Sequence, residues 1–412
     1  MEETNARIPD RKLKLLLMVP MLHQGGFERV CVETARLLAS LADVTILIFS
    51  DRDINYDVTG LSVVNIDVPA RKGKLQKALN VLKRVRRVRA AKRSGQYDAA
   101  YSFGSSANLV NVLSRTTEKV VTGLRCQTDL ESRREVELFC RRSDAVLSCS
   151  REIVQQLERD FHYSKSVYIY NPLDAAGLLA KSREAITDFP FPEELAKPSH
   201  HIVVSMGRDD YIKGNWHLIK AFSLVKRDIP DAKLLILGAG SYEGNKKLAQ
   251  DLGIRDSVAF PGVRKNPFPY VAAGDLYVLP SNHEGFPNAL LEAMALHKPV
   301  IAADCRTGPR EIVLSPEEYE DLNRREPDGG RTGEVIDGTY GVLVPDMSEV
   351  INNDAGQITD EDRTLACAMV SVLGDDIRLR HFARASEERA ADFAPEHYRD
   401  SLFRILCKIA DT

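Results

Sequence analysis

The sequence predicts an α/β fold made of two doubly wound, Rossmann-like domains that face each other across a cleft. The chain has 412 residues, more than the roughly 250–300 residues that one hydrophobic core usually organises. Short apolar runs alternate with stretches of helical periodicity in both halves, a pattern typical of parallel strands joined by helices. Proline interrupts this rhythm between residues 171 and 192. We therefore expect an N-terminal domain at 1–172, a C-terminal domain at 173–392 and a helix at 393–412 that crosses back.

The first half contains five apolar runs of strand length. Each is short and bounded by polar or glycine-bearing segments, as expected for buried strands of a parallel sheet. A helical pattern at 28–42 follows the first of them. The predicted strands are 13–21, 44–49, 99–103, 120–124 and 145–149.

The second half restarts the same alternation. Its predicted strands are 201–206, 233–237, 258–260, 276–279, 300–303 and 341–344. Residues 317–340 are polar, charged and glycine-bearing, and we predict an irregular insertion there. A helical pattern returns at 396–409.

Composition narrows the class of protein. The net charge of −3 and the pI near 6.3 disfavour a general affinity for nucleic acid. Seven cysteines without close pairs indicate neither a disulfide framework nor a zinc site, and no other cluster has metal-ligand spacing, so we expect no metal and no cofactor. The first apolar run, 15–22, is short and contains Pro20, which predicts a cytosolic chain without a signal peptide.

Two glutamates, Glu284 and Glu292, bracket a loop that follows the strand at 276–279 and opens a helix. A helix N-terminus offers N–H groups to an anion, and carboxylates accept hydrogen bonds from sugar hydroxyls. The segment thus suits a nucleotide sugar, the alternative being a solvated helix start. The predicted donor-binding residues here are Glu284, Gly285, Phe286, Pro287, Asn288, Ala289, Leu290 and Glu292.

Two cations follow the strand at 201–206. Gly207 and Arg208 come first, and Lys213 precedes Gly214. A guanidinium and an ammonium group together neutralise a diphosphate better than one cation does. We predict a phosphate clamp of Arg208 and Lys213, the alternative being a solvated basic loop.

Glycines mark two further strand ends. Gly25 and Gly26 lie between the first strand and the first helix, where the backbone can approach a ligand and Glu28 is a nearby polar candidate. A purely structural turn is the alternative. Gly238 and Gly240 only partly match a dinucleotide-binding pattern, because Gly244 is wrongly spaced and no acid follows at the expected distance, which makes a dehydrogenase a poor second reading.

Residues 71–93 are strongly basic. They contain eleven Lys or Arg and no Asp or Glu, while Leu75, Leu79, Leu82 and Val85 keep helical spacing. An amphipathic basic helix suits an anionic membrane surface or a phosphate-bearing acceptor, and a solvated helix face is the alternative. The cations assigned to this surface are Lys77, Lys83, Arg84, Arg86 and Arg87.

Together these motifs resemble glycosyltransferase family 4, the retaining enzymes of the GT-B fold, over nearly the whole chain. The resemblance rests on Gly25 to Arg29, on Gly207 to Gly214, on the segment from Glu284 to Glu292, and on Pro299 to Ala302. It implies that the first domain binds the acceptor and the second the nucleotide-sugar donor. It also implies front-face transfer, in which the leaving diphosphate helps to deprotonate the incoming hydroxyl.

The resemblance also assigns roles to single residues. Arg208 and Lys213 would hold the donor diphosphate, Glu284 the hydroxyls of the transferred sugar, and Glu292 the ribose. The catalytic set is thus Arg208, Lys213 and Glu284. Backbone N–H groups from Gly285 to Leu290 would complete the pocket.

A narrower resemblance concerns bacterial members that add hexoses or N-acetylhexosamines to lipid-linked glycans and surface polysaccharides. It rests on Ser102, Phe103 and Asn108, and on the run from Thr307 to Glu311. It implies a UDP-linked donor, a glycan or polyprenyl-pyrophosphate-linked acceptor contacted near Ser102 and Asn108, and a peripheral location on the inner face of the cell membrane. Many relatives carry a His near Ser102, whereas this chain has none between His23 and His162.

Two other functions remain open at this stage. A nucleotide-sugar epimerase or hydrolase of the same fold would process the donor without an acceptor. A non-catalytic protein would bind the nucleotide sugar without turnover.

Overall fold

Two separate seven-stranded sheets organise the described residues of the computed structural model, which are 11–23, 25–52, 54–195, 197, 201–326, 329–331 and 333–411. The chain forms two compact units. Unit 1 combines residues up to Pro172 with those from Pro395, and unit 2 spans Leu173–Ala394. The two doubly wound, Rossmann-like sheets confirm the predicted fold class.

Unit 1 has a fully parallel sheet in the order β3-β2-β1-β4-β5-β6-β7. Its strands are β1 Leu13–Val19, β2 Ala42–Ile48, β3 Ser62–Asn65, β4 Ala99–Phe103, β5 Lys119–Leu124, β6 Ala145–Ser148 and β7 Ser166–Tyr168. Its first five helices are α1 Gly26–Leu38, α2 Lys74–Gly95, α3 Ser105–Leu113, α4 Arg133–Arg142 and α5 Arg151–Phe161.

Unit 2 has the strand order β10-β9-β8-β11-β12-β14-β13, which repeats the first five positions of unit 1, exchanges the last two strands and makes the edge strand β13 antiparallel. Its strands are β8 Ile202–Met206, β9 Lys233–Leu237, β10 Val258–Gly262, β11 Leu276–Leu279, β12 Val300–Ala303, β13 Ile336–Gly338 and β14 Gly341–Val344. Its helices are α6 Ala175–Ser182, α7 Pro192–Leu195, α8 Asn215–Asp228, α9 Glu243–Asp251, α10 Phe268–Ala272, α11 Asn288–Ala295, α12 Pro309–Val313, α13 Pro316–Arg325, α14 Asp360–Leu373 and α15 Asp376–Ala391.

The central strands are apolar throughout because helices cover both faces of each sheet. In β1, six of the seven residues are buried, and alternate side chains enter two different clusters. Leu15 and Leu17 pack on the side of α1, while Leu16 and Met18 pack against Val88 of α2. Because both faces of these strands are buried, they appear in the sequence as continuous apolar runs.

The last helix, α16 Pro395–Asp411, belongs to unit 1. Its apolar face joins the cluster around α1, and the hydroxyl groups of Tyr398 and Thr34 lie 2.7 Å apart in the buried interior. The chain leaves unit 1 after Pro172 and returns to it at Pro395, close to the ends predicted at 172 and 393.

The prediction of an irregular insertion at 317–340 is wrong. The segment contains most of α13 and the strand β13, which pairs with β14. A reciprocal capping box starts the helix, in which Glu318 N–H donates to Ser315 Oγ at 3.2 Å and Ser315 N–H donates to Glu318 at 2.7 Å. This signal was present in the sequence, since Ser followed three residues later by Glu is typical of a helix start. The edge strands β3 and β7 were missed because they are short and largely exposed.

Candidate functional site

Loops at the carboxyl edge of the unit 2 sheet carry the candidate donor residues. The strand β8 lies between β9 and β11, and all three are parallel. Their carboxyl ends therefore meet at one edge, which is where open α/β sheets bind ligands. Gly207 and Arg208 follow β8, and Glu284 lies in the loop after β11.

Lys213 and Glu284 form an ion pair across this edge. Lys213 Nζ donates to Glu284 Oε1 at 2.6 Å, although the residues lie 71 positions apart in the chain. A 3₁₀ turn at Tyr211–Lys213 ends at Gly214, whose φ is 58°. A Cβ at Gly214 would lie 2.1 Å from the carbonyl oxygen of Pro280, so only glycine lets the two loops approach this closely.

Arg208 lies on the same loop as Lys213, but its side chain is more exposed. Its side chain is 67% exposed and its ion pair with Asp210 is loose, at 3.9 Å. The loop beneath it is well held, because Asp209 accepts a hydrogen bond from Tyr242 N–H at 2.7 Å and the Tyr242 hydroxyl donates to Gly207 O at 2.6 Å. The Arg208 guanidinium group is therefore exposed to solvent, while hydrogen bonds hold the backbone of its loop in place.

The second glutamate, Glu292, is buried on α11, which begins at Asn288. Tyr277 of β11 lies near both glutamates. Burial raises the pKa of the Tyr277 hydroxyl, and the carboxylates of Glu292 and Glu284 raise it further. Both predicted acids therefore lie within electrostatic reach of one buried hydroxyl group, that of Tyr277.

The rest of the predicted donor loop is braced by the segment after β12. The Thr307 hydroxyl donates to Gly285 O at 2.8 Å, and Glu284 N–H donates to Arg306 O at 3.0 Å. Gly308 has a φ of 98°, and a Cβ there would lie 2.8 Å from Gly285 O. Phe286 packs edge-on against the Phe393 ring, with centroids 5.6 Å apart. Pro287, Asn288, Ala289 and Leu290 continue from it into α11.

A buried ionic network supports this bracing segment. Arg310 of α12 donates two hydrogen bonds to Asp304 at 2.7 and 2.6 Å, and its third nitrogen lies 2.6 Å from Glu326. Arg331 also approaches Asp304, at 3.4 Å. Arg310 lies in one of the predicted motifs, but its partners are not predictable from the sequence, because nothing in the spacing from 304 to 331 shows that these charges meet.

Asp346, after β14, was not predicted either. Burial of the carboxyl group and the nearby Asp304 both raise its pKa, which reaches about 6. A hydrogen bond from Met347 N–H at 2.9 Å and the charges of Arg331 and His283 act in the opposite direction. The carboxyl group therefore titrates within the acidic range next to the donor loops.

The glycines that resembled a dinucleotide fingerprint have a structural role. Gly238 ends β9 with a φ of 147°, and a Cβ there would lie 1.8 Å from Gly207 O. Glycine is thus required because two strand-end loops touch, and this explains Gly238 without any ligand.

In unit 1, Gly25 caps α1 and Gly26 begins it. The Tyr56 hydroxyl accepts from Gly25 N–H at 3.0 Å and donates to Gly25 O at 2.7 Å. Glu28 is buried, and its carboxylate lies so close that a Cβ at Gly25 would be 2.1 Å from Glu28 Oε2. The glycine therefore makes room for an acid at the carboxyl end of β1.

Ser102 and Asn108 require a correction. Both side chains are completely buried. The Ser102 hydroxyl donates to Asn108 Oδ1 at 2.8 Å, and Asn108 Nδ2 donates to Gly123 O at 2.7 Å. The predicted contact of these two side chains with an acceptor is wrong for this geometry, since they tie β4 and α3 to β5 from inside.

The basic segment forms α2, and its cations divide into two groups. Arg84 Nε donates to Val68 O at 3.0 Å, and Arg87 donates to the carbonyl oxygens of Ile66 and Asp67. These contacts hold the helix on unit 1, and they correct the assignment of the half-buried Arg84 to a lipid-facing surface, whereas Arg87 is exposed. Lys77, Lys83 and Arg86 are exposed. Among the described residues, no helix is both long and apolar enough to cross a membrane.

Comparison with known proteins shows which family this chain resembles in sequence and in fold. The family model for glycosyl transferases group 1 matches residues 188–318, and the one for glycosyltransferase family 4 matches residues 24–176. An uncharacterized glycosyltransferase of Methanocaldococcus jannaschii is 35% identical over 200 residues, or 47% of this chain. The match spans about half of that relative, 46% of its length.

Two further similarities extend over more of the chain. A Campylobacter jejuni N-acetylgalactosamine-N,N'-diacetylbacillosaminyl-diphospho-undecaprenol 4-alpha-N-acetylgalactosaminyltransferase is 23% identical over 73% of this chain and 83% of its own. Anabaena HepE, solved in complex with UDP and glucose, superposes with a TM-score of 0.68 at 19% identity, covering 96% of this chain and 99% of that one. Because family models match both halves and the fold is shared over nearly the full length, the chain belongs to the GT-B glycosyltransferases of the family 4 type.

Proposed function

We propose that the enzyme transfers a hexose or N-acetylhexosamine, with retention of configuration, from a UDP-linked donor to a lipid-linked or polysaccharide glycan. The observation that carries the proposal is the pairing of Lys213 with Glu284 at the carboxyl edge of the unit 2 sheet. A cation and an acid in contact there suit a ligand that combines phosphate with sugar hydroxyls.

Each donor residue then has a distinct role. Lys213 leaves its ion pair to contact the diphosphate, and the exposed Arg208 turns onto the same group. Glu284, no longer neutralised by Lys213, accepts hydrogen bonds from the sugar. Glu292 accepts from the ribose, and the N-terminus of α11 adds N–H donors. HepE, with a similar fold, has been solved with UDP and glucose, which favours UDP as the nucleotide.

The chemistry depends mainly on charge placement. As the bond between the sugar and the diphosphate breaks, the electron pair of that bond leaves with the diphosphate, and the sugar gains oxocarbenium character. Lys213 and Arg208 stabilise the growing negative charge in the transition state more than in the ground state. The acceptor hydroxyl attacks from the same face and passes its proton to a diphosphate oxygen. We predict that this step requires neither a metal nor a cofactor.

The proposal for the acceptor side rests on the position of three residues in unit 1. Gly25, Gly26 and Glu28 remain the acceptor-proximal candidates of unit 1, since they occupy the carboxyl end of β1. The Campylobacter relative acts on a diphospho-undecaprenol-linked sugar, which supports a polyprenyl-pyrophosphate-linked acceptor and a peripheral location at the inner face of the cell membrane. The cations of α2 would face the pyrophosphate or the membrane.

The donor class is tested by thermal-shift measurements with UDP, GDP, ADP and their common sugar derivatives. We expect a rise in Tm with UDP and UDP-sugars that is lost in Glu292→Ala and kept in Glu243→Ala, an acid on the exposed side of α9. A rise with GDP or ADP derivatives alone would replace the proposed donor. No rise with any nucleotide, from a folded protein, would contradict the proposed site.

Incubation of the donor without an acceptor separates the alternatives. Rapid release or epimerisation of the sugar would establish the hydrolase or epimerase instead of the transferase. Binding without turnover towards any lipid-linked or polysaccharide glycan would favour the non-catalytic protein. NMR of the product linkage tests retention, because an inverted anomeric configuration would exclude front-face transfer.

A further inference from the structure

Segment 329–331, between α13 and β13, contacts the segment 304–307 that braces the donor loop. Arg331 Nε donates to the carbonyl oxygen of Asp304 at 2.9 Å and also lies 3.4 Å from Asp304 Oδ1. The Arg306 guanidinium group donates in the opposite direction, to the carbonyl oxygen of Gly329. Each segment thus supplies one arginine to the other, and the two are joined at two points.

The same bracing segment, 304–307, is bonded to the backbone of Glu284. Glu284 N–H donates to Arg306 O at 3.0 Å, and Thr307 N–H donates to Glu284 O at 3.2 Å. Both backbone groups of this acid are therefore bonded to the segment that Arg331 holds. Because the carboxylate follows its backbone, a displacement of 304–307 would move the group that pairs with Lys213.

Burial makes the contact between the two segments firm. The side chain of Arg331 is 13% exposed and that of Asp304 is 6% exposed. A buried carbonyl oxygen or guanidinium group that loses its partner costs free energy, because water cannot replace the hydrogen bond. The planar guanidinium group of arginine also fixes the direction of its hydrogen bonds, which a lysine ammonium group does not.

The other acid of the donor loop is positioned by different contacts. Glu292 lies inside α11, and its carbonyl oxygen accepts from Leu296 N–H at 3.2 Å. Local helical hydrogen bonds thus hold Glu292, whereas tertiary contacts with 304–307 hold Glu284. A change in the bracing segment should therefore reach the acid assigned to the sugar before it reaches the acid assigned to the ribose.

We propose that Arg331 and Arg306 are positioning residues for the donor sugar. They fix the bracing segment so that Glu284 meets the sugar hydroxyls, and they do not contribute to binding of the nucleotide. The family models match residues 24–176 and 188–318, so the match assigns no role to segment 329–331. The inference rests on the proposed function for the roles of Glu284 and Glu292.

The test is calorimetric binding to the full-length protein, below its melting range, of UDP and of UDP-glucose, UDP-galactose and their N-acetylhexosamine counterparts. For the sugar nucleotide that the wild type binds most tightly, Arg331→Met and Arg306→Met should each raise Kd about tenfold, the effect of one lost hydrogen bond to a charged group. Kd for UDP should change by less than about twofold. Arg331→Lys keeps the charge without the planar group and should raise Kd for the sugar nucleotide about threefold.

A double-mutant cycle tests whether Arg331 acts through Glu284. Glu284→Gln should weaken binding of the sugar nucleotide at least about tenfold, and adding Arg331→Met should cost less than about twofold more, because the positioned carboxylate is already lost. Arg378→Met is the matched control. The side chain of Arg378 is 25% exposed and pairs with Asp337 of β13, the strand that follows segment 329–331. This variant should keep the wild-type Kd for every ligand.

Three results would overturn the inference while the proposed function stands. They are wild-type affinity for the sugar nucleotide in both methionine variants, equal weakening of UDP and sugar nucleotide in Arg331→Met, and additive losses in the cycle. Recovery of both affinities in Arg331→Lys would assign an equal weakening to charge alone. If Arg331→Met does not fold, Arg306→Met and Arg331→Lys decide by the same criteria. Failure of the wild type to bind UDP or any of the sugar nucleotides would overturn the proposed function, and this inference with it.

Discussion

The two units share the order of their first five strands but use their strand ends differently. In unit 2, polar side chains at the carboxyl edge pair with one another at a partly exposed surface, as Lys213 does with Glu284. In unit 1, the corresponding polar side chains Ser102 and Asn108 are buried and bond to each other and to the neighbouring strand. Polar residues after a strand therefore do not identify a ligand site unless their charge remains accessible.

Charge explains the contrast. An amide and a hydroxyl group can be fully satisfied inside a protein by a few hydrogen bonds, whereas an ammonium group and a carboxylate are costly to bury completely. In unit 1, exposed cations such as Lys83 and Arg86 lie on α2, while Lys92 of the same helix is buried in a pair with Glu118. Unit 2 places the pair of Lys213 and Glu284 at the sheet edge, and its buried network around Arg310 supports the donor loops.

The largest expected effect is a loss of unfolding free energy when either of two buried ionic contacts, one in each unit, is removed. Arg310→Met removes the cation that Asp304 and Glu326 share, and Lys92→Met removes the cation that lies 2.7 Å from the buried Glu118. Each variant should lose about 3–5 kcal/mol of unfolding free energy in urea. Only Arg310→Met should also weaken nucleotide-sugar binding, measured by calorimetry below its melting range. Equal loss of binding in both variants would remove the distinction between the units.

The next effect tests the accessible charges of unit 2. Lys213→Ala and Arg208→Ala should each lose about 2–4 kcal/mol of transition-state stabilisation, because each removes a cation from the leaving diphosphate. The value is obtained from the ratio of kcat/KM. Lys247→Ala serves as the control, since Lys247 is an exposed cation that pairs with Asp251 on α9. Turnover at the wild-type level in both active-site variants would exclude the clamp.

A smaller effect tests the buried polar groups of unit 1. Asn108→Ala removes the acceptor for the Ser102 hydroxyl and for Gly123 N–H at 3.2 Å. It should lower the unfolding free energy by about 1–3 kcal/mol, because buried groups are left without partners. The KM for the acceptor should stay unchanged. A raised KM with unchanged stability would restore Asn108 to the acceptor site.

The smallest effect concerns pH. The pKa of Asp346 is about 6 in the folded protein, above its ordinary value. A raised folded-state pKa means that the folded state binds the proton more tightly, so the stability from this group is present below about pH 4 and is lost as pH rises through 6. The Tm of the wild type minus that of Asp346→Asn should therefore fall from pH 4 to pH 6. A constant difference would show that Asp346 does not titrate in this range.

Much of the fold and part of the candidate site were predictable from local pattern. Strands buried on both faces read as apolar runs, and glycines such as Gly214 occur where loops must approach closely. The segment from Glu284 to Glu292 was recognisable because its acids, its turn residues and its helix start are adjacent in the chain. The helix α13 was missed although its capping box was present, since the surrounding charge outweighed that signal.

Local pattern by itself determined the buried strands and the first and last helices of the chain, because backbone conformation and burial on a face depend on near neighbours and on periodicity. Tertiary structure alone decided that Lys213 meets Glu284, that Arg310 joins Asp304 to Glu326, and that Ser102 and Asn108 are buried. It also decided that the leucines of α2 face outward while Arg84 faces inward. Helical spacing shows that side chains share a face, but only packing against the rest of the chain selects the face that water reaches.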